Sequence, residues 1–294
     1  MSDLLTEQQN PKTANIDQLP TLEMLEAINQ EDMMVATVVR EALPSIAQAV
    51  EAIVDRLQQG GRLIYVGAGT SGRLAMLDAV ECVPTFGTPS EMVQALIAGG
   101  EPALKRTVEG AEDDARAGRE DLLALNVSAT DAVVGIAASG RTPYVLGALE
   151  AANELGAITI GVACNSPSRL LDIARIRISA PVGPEVIAGS TRLKAGTAQK
   201  MILNMLSTAS MVKLGKVYGN LMVDVRVTNE KLAQRARRIV SLLIGASEEE
   251  ARRLLEQSNN EVKVAIVAGS LNITPEEARS VLVQANGRLR QIIG

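Results

Sequence analysis

Short apolar runs separated by helical patterns dominate the chain from Leu63 to Ala180. Their residues are mainly Val, Ile, Ala and Leu with little polar alternation, which is typical of strands buried on both faces of a parallel sheet. The runs are Leu63–Val66, Val93–Ala98, Ala132–Ala138, Ala157–Ala163 and Ile176–Ala180. Strands that alternate with helices predict an α/β fold with an open, five-stranded parallel sheet.

Helical patterns precede and connect these runs. Residues 1–20 are polar, and we expect them to form a tail or arm. Thr21 opens a helix, and a longer helical stretch over Glu31–Leu57 ends at a pair of glycines that act as a stop signal. Between the second and third runs, Ala103–Leu125 is predicted to be helical with a strongly charged face.

The chain after Asn220 has the pattern of a small helical bundle. Ser247 and Thr274 each precede a glutamate by three residues, which is the spacing of a capping box at a helix start. The predicted helices are Asn229–Ile244, Ser247–Gln257, Asn260–Val267 and Thr274–Gln284.

Three parts follow from these patterns. Residues 1–52 are an N-terminal arm with helices, residues 53–216 are the α/β domain, and residues 217–294 are a C-terminal helical domain. Residues 1–60 carry more helix than a five-stranded sheet needs, and the segment Met201–Leu214 is apolar on most faces. This excess predicts a homodimer that buries helical surfaces between its subunits.

Two strands end in similar turns. Ser71-Gly72-Arg73 follows the first strand, and Ser139-Gly140-Arg141 follows the third. Because the carboxyl ends of parallel strands meet at one edge of a sheet, both turns are expected at the edge where such folds bind ligands. A turn that enters a helix presents free N–H groups and the positive end of the helix dipole, so phosphate is the expected ligand.

Hydroxyl groups and glycines of these turns are the candidate phosphate ligands. They are Thr70, Ser71, Gly72, Ser139, Gly140 and Thr142. Arg192 and Lys194, in a later glycine-rich segment, either face the ligand or have a structural role.

A dinucleotide site is an alternative, because Gly67-x-Gly69-x-x-Gly72 has the spacing of the Rossmann fingerprint. That fingerprint needs an acidic residue at the end of the next strand, about 20 residues on, to hold a ribose. The candidate here, Glu101, comes late and after two glycines. The hydroxyls of the turn suit a compact monophosphate better.

Composition narrows the choice of chemistry. The chain has 294 residues, a net charge of −5 and no histidine. The negative charge argues against a nucleic-acid surface. The lack of histidine removes the commonest general base and metal ligand, so paired carboxylates become the leading candidates for proton transfer.

The expected location is the cytoplasm. Cys82 and Cys164 are too few and too far apart for a disulfide framework or a zinc site, which fits a reducing compartment. The sequence has no signal-peptide pattern and no apolar run of about 18 residues, so we expect neither export nor a membrane span.

Five motifs in order resemble the N-acetylmuramic acid 6-phosphate etherase family. They are GAGTSGRLAMLDAVEC, VEGAEDD, GIAASGRTPYV, GSTRLKAGTAQKMILNMLST and GKVYGNLMVDVRVTNEKL. The similarity runs from about Asp17 to the C-terminus, and the segment Gly189–Lys200 also resembles the non-catalytic glucokinase regulatory protein. Val80 departs from the small or hydroxyl residue expected there.

The resemblance implies a sugar isomerase (SIS) domain, which has a flavodoxin-like sheet and binds phosphosugars. It also implies cleavage of the D-lactyl ether of the substrate by elimination and then addition of water. The chemistry requires one acid and one base, and no cofactor or metal ion. The family's two catalytic carboxylates fall on Glu81 and Glu112.

Local sequence supports these two assignments unequally. Glu81 has Val80, Cys82 and Val83 as neighbours, and an apolar setting would raise a carboxyl pKa as a proton donor requires. Glu112 lies in an acidic cluster that is, by itself, typical of a solvated helix face.

Two other functions remain open. A phosphosugar aldose–ketose isomerase would share deprotonation at C2 of an open-chain aldehyde. A sugar-phosphate sensor would bind the same ligand without turnover. Both would use the same phosphate loops.

Overall fold

Five parallel strands form one sheet in the computed structural model, which describes residues 4–294. They are β1 (Leu63–Gly67), β2 (Val93–Ile97), β3 (Ala132–Ile136), β4 (Ile158–Ala163) and β5 (Ile176–Ser179). The strand order is β2-β1-β3-β4-β5, and all neighbours are parallel. This is the flavodoxin-like order, so the predicted five-stranded parallel sheet is confirmed.

Helices surround the sheet and make up the C-terminal region. They are α1 (Thr21–Glu41), α2 (Leu43–Gln58), α3 (Gly69–Phe86), α4 (Pro102–Lys105), α5 (Ala115–Ala124), α6 (Pro143–Glu154), α7 (Arg169–Ile173), α8 (Lys194–Lys213), α9 (Glu230–Ile244), α10 (Glu248–Gln257), α11 (Val262–Leu271), α12 (Pro275–Gln284) and α13 (Arg290–Ile293). Among these helices, all within residues 4–294, none is long and apolar enough to cross a membrane.

Contacts divide the chain into two compact units. The first contains the chain up to Ala79 together with Glu91–Ser207, and the second contains Val80–Ser90 together with Thr208–Gly294. The first unit holds the sheet. The division into domains at residues 52 and 216 stays a prediction.

The sheet is buried on both faces within the first unit. Every residue of β1 and β3 is buried, and α6 packs on β3 through fully buried side chains such as Val145 and Leu149. From the N-terminal region, helix α2 also packs on the sheet, where it contacts β3 and β5. Full burial of each such side chain contributes roughly 1.5–3 kcal/mol, so these apolar faces hold the layers together.

The break between the first two helices differs from the sequence prediction. A helix was expected to start near Glu31, but α1 continues to Glu41 and α2 begins at Leu43. Pro44 lies at the start of α2, where its missing N–H is not needed. Inside a longer helix, the same ring would clash with the preceding turn, so the chain breaks at Ala42.

The helix predicted over Ala103–Leu125 is also interrupted. α4 ends at Lys105, and regular helix resumes only at Ala115. Gly110 takes a φ of +72° and Asp114 caps α5, accepting a hydrogen bond from the Ala117 N–H at 2.9 Å. These two signals place Glu112 on a short 3-10 turn instead of on a helix face.

The second unit contains the C-terminal helical bundle. Helices α9 to α12 enclose an apolar core that includes Ala236, Val240 and Ile266. Both predicted caps are present: the Ser247 hydroxyl accepts from the Glu250 N–H, and Thr274 with Glu277 forms a complete capping box. A helical C-terminal region is therefore confirmed.

Candidate functional site

A cavity of about 490 Å³ lies in the first unit at the carboxyl ends of β1 and β3. The segment after β1 and the loop after β3 form two of its walls, and the turn that contains Glu112 forms a third. Its polar lining includes Thr70, Ser71, Ser139, Arg141, Thr142 and Glu112. The structure therefore brings both hydroxyl-bearing turns and one of the two proposed catalytic carboxylates to one cavity.

The segment after β1 enters its helix sooner than expected. Helix α3 begins at Gly69, so Thr70 and Ser71 occupy its first turn, where backbone N–H groups have no intrahelical acceptor. Ser71 is buried, and its hydroxyl donates a 2.9 Å hydrogen bond to Oε1 of Gln199. The positive end of α3 thus faces the cavity, as an anion site requires.

Gly72 does not line the cavity. Close packing against the sheet explains why this position is a glycine. A Cβ at this position would lie 2.5 Å from Cγ1 of Ile97 on β2 and 2.9 Å from the carbonyl oxygen of Gly67. Glycine therefore allows α3 to approach the sheet, and the role of Gly72 is to shape the backbone of the turn.

The loop after β3 is not helical. Ser139 and Gly140 precede α6, and the Ser139 hydroxyl accepts a hydrogen bond from the Arg141 N–H at 3.2 Å. Gly140 has a φ of +67°, and a Cβ there would lie 2.3 Å from Oγ of Ser168. The two Ser-Gly-Arg segments therefore share a sequence and a sheet edge but differ in backbone conformation.

The acidic cluster around Glu112 serves several purposes. Asp114 caps α5, whereas Glu112 and Asp113 line the 490 Å³ cavity. Glu112 also lines an adjoining cavity of about 310 Å³, together with Glu109 and Arg73. The cluster is exposed, as a solvated acidic face requires, but Gly110 places Glu112 and Asp113 on a short 3-10 turn at the cavity instead of on a helix.

Glu81 lies on α3 in the second unit and its side chain is exposed. The apolar setting expected from its neighbours is wrong. Cys82 and Phe86 are buried on one face of the helix, but Val80 is 58% exposed. Adjacent residues of a helix point in different directions, so apolar neighbours in sequence do not surround Glu81.

Lys194 and Arg192 lie outside the lining of the cavity. The Lys194 side chain is 1% exposed, and its ammonium contacts a carboxylate oxygen of Glu31 at 2.5 Å. Its backbone N–H and that of Ala195 each donate a 2.9 Å hydrogen bond to Glu185, which caps the start of α8. These contacts support a structural role for Lys194, one of the two roles that the sequence left open. Arg192 is exposed.

Burial by itself would raise the pKa of the Glu31 carboxyl. Hydrogen bonds from Lys194, Lys12 and Asn10 outweigh that effect and lower the pKa to about 2. Burial raises the pKa of Glu185. The Glu31 carboxylate is thus held in its charged form beside Lys194 at the start of α8.

Sequence reasoning did not place two polar residues, Glu7 and Thr191, at the cavity. Glu7 of the N-terminal arm and Thr191 both line it. Glu7 is distant in sequence from the phosphate loops and belongs to no recognised motif, so neither spacing nor periodicity indicated its position.

A sheet of this order, with hydroxyl-bearing turns at its carboxyl edge, defines an SIS-type phosphosugar-binding fold. Residues 114–209 match the family model "SIS domain", and residues 45–153 match "Glucokinase regulatory protein N-terminal SIS domain". Residues 219–265 match "C-terminal lid domain of glucokinase regulatory protein".

Full-length relatives narrow the class. The chain is 56% identical over 290 residues to N-acetylmuramic acid 6-phosphate etherase from Pasteurella multocida (strain Pm70), which covers 99% of this chain and 96% of that protein. It is 52% identical over 293 residues to the protein of the same name from Caldanaerobacter subterraneus subsp. tengcongensis, with 100% and 96% covered. The chain belongs to the N-acetylmuramic acid 6-phosphate etherase family.

A solved structure agrees with the fold. Phosphoheptose isomerase from Francisella tularensis superposes with a TM-score of 0.54 at 20% sequence identity, which covers 66% of this chain and 100% of that chain. At this identity the likeness shows the fold alone.

Proposed function

We propose that the chain cleaves the ether bond between D-lactate and C3 of N-acetylmuramic acid 6-phosphate. The products are N-acetylglucosamine 6-phosphate and D-lactate, and the reaction serves the recycling of cell-wall amino sugars. The observation that carries this proposal is the cavity that combines Ser71 and Ser139 with Glu112 in a chain of the etherase family.

The phosphate binds where the first turn of α3 and the loop after β3 meet the cavity. The hydroxyls of Thr70, Ser139 and Thr142 donate to its oxygens, and Arg141 balances its charge. The Ser71 hydroxyl, which donates to Oε1 of Gln199 in the structure, turns to donate to the bound phosphate. Hydrogen bonds to a charged acceptor are each worth about 1.5–3 kcal/mol, so the phosphate is the main anchor of the substrate.

The reaction is elimination followed by hydration. In the open-chain sugar the aldehyde acidifies the C2 proton, which Glu112 removes to give a carbanion stabilised by the aldehyde. The C3–oxygen bond then breaks. Glu81 protonates the departing lactate oxygen. Water then adds at C3 of the unsaturated aldehyde, and a proton returns to C2. General acid or base catalysis contributes about 10²–10⁴-fold for each group.

The protein works as a cytoplasmic homodimer in this proposal. Helix α1 supports the dimer, because Leu22, Leu25 and Met33 are 68%, 56% and 64% exposed on one side of it. Its buried apolar residues, Val35 and Val39, lie in the C-terminal half of the helix. A helix face with three exposed large apolar side chains favours a partner, and a second copy of the chain is the proposed one.

One assay tests the activity. N-Acetylmuramic acid 6-phosphate is added to the purified protein, and released D-lactate is measured. Release supports the etherase. Turnover of fructose 6-phosphate without lactate release would instead identify an aldose–ketose isomerase, and binding without turnover would identify a sensor.

A further inference from the structure

The N-terminal arm, residues 4–20, forms part of the wall of the 490 Å³ cavity. Three short 3-10 turns make up most of it, and Leu4 and Glu7 line the cavity. The arm belongs to the first unit, which also holds the phosphate loops. An apparently dispensable polar tail thus contributes directly to the candidate site.

Thr6 anchors the arm next to Glu7. It is fully buried, its hydroxyl accepts a 3.0 Å hydrogen bond from Nδ2 of Asn165, and its carbonyl accepts one from the Gly189 N–H at 3.1 Å. Nδ2 of Asn165 also donates to the carbonyl of Ala138 at 2.8 Å. A single asparagine therefore fixes the arm relative to the loop that carries Ser139.

A second anchor lies further along the arm. Asn10 donates to Glu31 at 2.8 Å and to the carbonyl of Pro184 at 3.3 Å. The hydroxyl of Thr13 donates to the carbonyl of Val186 at 2.8 Å. Both side chains are buried, so the backbone is held on both sides of Glu7.

The Glu7 side chain lines the cavity. One of its oxygens lies 3.1 Å from the position that a Cβ on residue 189 would take, and Gly189 has a φ of +76°. In the part of the chain from Leu4 to Gly294, no side chain forms an ion pair or hydrogen bond with this carboxylate. The carboxylate is exposed and lines the cavity, so on its fixed backbone it can accept a hydrogen bond from a ligand bound there.

The cavity lining contains both groups that attract an anion and groups that are acidic. Hydroxyls, Arg141 and the start of α3 favour an anion, whereas Glu7, Glu112 and Asp113 are acidic. A carboxylate repels a phosphate and accepts hydrogen bonds from hydroxyl or amide N–H groups. Such a division orients a ligand that has a phosphate at one end and neutral donors at the other.

We propose that Glu7 is a substrate-binding residue that accepts a hydrogen bond from a neutral donor of the phosphosugar, either a hydroxyl or the acetamido N–H. This inference rests on the proposed phosphosugar function. Glu7 thereby favours ligands in which the phosphate is attached to a sugar. Its negative charge repels the phosphate, which therefore binds at the two loops.

The test compares two ligands across matched variants. The affinities of N-acetylglucosamine 6-phosphate and of inorganic phosphate are measured by calorimetry for the parent, Glu7→Ala, Glu7→Gln and Asp17→Asn. Asp17 is an exposed carboxylate of the same arm outside the cavity lining, so it is the control. Lactate release is measured in parallel and resolved into kcat and KM.

We expect Glu7→Ala to weaken the sugar phosphate by about ten- to a hundredfold, the loss expected for one hydrogen bond to a charged group. Glu7→Gln weakens it less. Inorganic phosphate keeps or improves its affinity because a nearby negative charge is gone, and Asp17→Asn binds both ligands like the parent. In the kinetics, KM rises more than kcat falls.

An unchanged affinity for the sugar phosphate in both Glu7 variants overturns the inference. An equal loss for both ligands also overturns it, because that pattern means a purely structural arm. Should Glu7→Ala fail to fold, Glu7→Gln decides alone. If the parent releases no lactate but Glu7 still controls sugar phosphate binding, the etherase proposal fails and this inference stands.

Discussion

Lys194 and Glu31 form a buried ion pair that joins the start of α8 to α1, with side chains that are 1% and 4% exposed. The same carboxylate accepts hydrogen bonds from Asn10 and Lys12, so three segments distant in sequence meet at one glutamate. Loss of one partner of a buried pair leaves the other charge without compensation, which is more costly than loss of the pair as a whole. This relationship leads to the first two predictions.

Lys194→Met is expected to lower the free energy of unfolding by about 3–5 kcal/mol, because the buried Glu31 charge then keeps only the exposed Lys12 and the neutral Asn10 as partners. The matched control is Lys12→Met. Lys12 contacts the other oxygen of Glu31 but is 74% exposed, so its loss should cost less than about 1 kcal/mol. Urea unfolding followed by circular dichroism compares them. Equal losses for the two lysines would contradict the prediction.

The Glu31 carboxyl also makes stability depend on pH. Its pKa is lowered from 4.5 to about 2 in the folded protein. A carboxyl with a lowered pKa stabilises the fold above its unfolded pKa, and the contribution is lost as the pH falls through the folded value.

The difference in unfolding free energy between the parent and Glu31→Gln is therefore expected to stay constant above about pH 5 and to shrink toward pH 2. Urea titrations at a series of pH values measure it. A difference that stays the same down to pH 2 would show that Glu31 does not titrate in this way.

The phosphate loops lead to a third prediction. Ser71→Ala and Ser139→Ala should each weaken N-acetylmuramic acid 6-phosphate binding by roughly ten- to a hundredfold, because each removes a hydrogen bond to a charged group. The unphosphorylated sugar should remain a poor ligand for every variant. Ser128→Ala is the control, since its exposed hydroxyl lies before the amino end of β3. Parent-like binding by both loop variants would exclude them as phosphate ligands.

The five-stranded sheet could be predicted from sequence, and so could the position of the Ser71 and Ser139 segments at one edge of it. Strands buried on both faces, such as β1 and β3, must be apolar throughout, and parallel strands bring their carboxyl ends to one edge. These are local patterns with one geometric consequence. Ser71 and Ser139 could therefore be placed together without knowledge of the packing.

Other features depend on tertiary contacts that no local pattern reports. The position of Glu7 follows from the contacts of Thr6 with Asn165 and Gly189, which are distant in the chain. The burial of Lys194 follows from its pairing with Glu31. A lysine in a glycine-rich segment has the same sequence signature whether it faces a phosphate or an internal carboxylate.

The exposed face of α1 leads to a fourth prediction. Light scattering at micromolar concentration should show a homodimer, and Leu25→Arg should shift it toward a monomer by placing a charge in an apolar interface. Val283→Arg is the control, because Val283 is an even more exposed apolar residue on another helix, α12, at 77% against 56% for Leu25. A monomeric parent protein would refute the proposed assembly.

The last prediction separates the two proposed catalytic carboxylates by the step that each serves. If Glu112 removes the C2 proton, Glu112→Gln should stop both lactate release and exchange of that hydrogen with deuterated water. If Glu81 protonates the leaving lactate, Glu81→Gln should retain the exchange, because the aldehyde stabilises the carbanion without the acid. Lactate release should nevertheless fall by about 10²–10⁴-fold.

Deuterium incorporation at C2 and lactate release are measured side by side for the parent, both variants and Glu101→Gln. Glu101 is an exposed glutamate of the first unit outside both cavities, so its variant should behave like the parent. Exchange that survives in the Glu112 variant but not in the Glu81 variant would reverse the two roles. Parent-like rates in both variants would remove these carboxylates from the mechanism, because a lost acid or base must slow at least one of the two proton transfers.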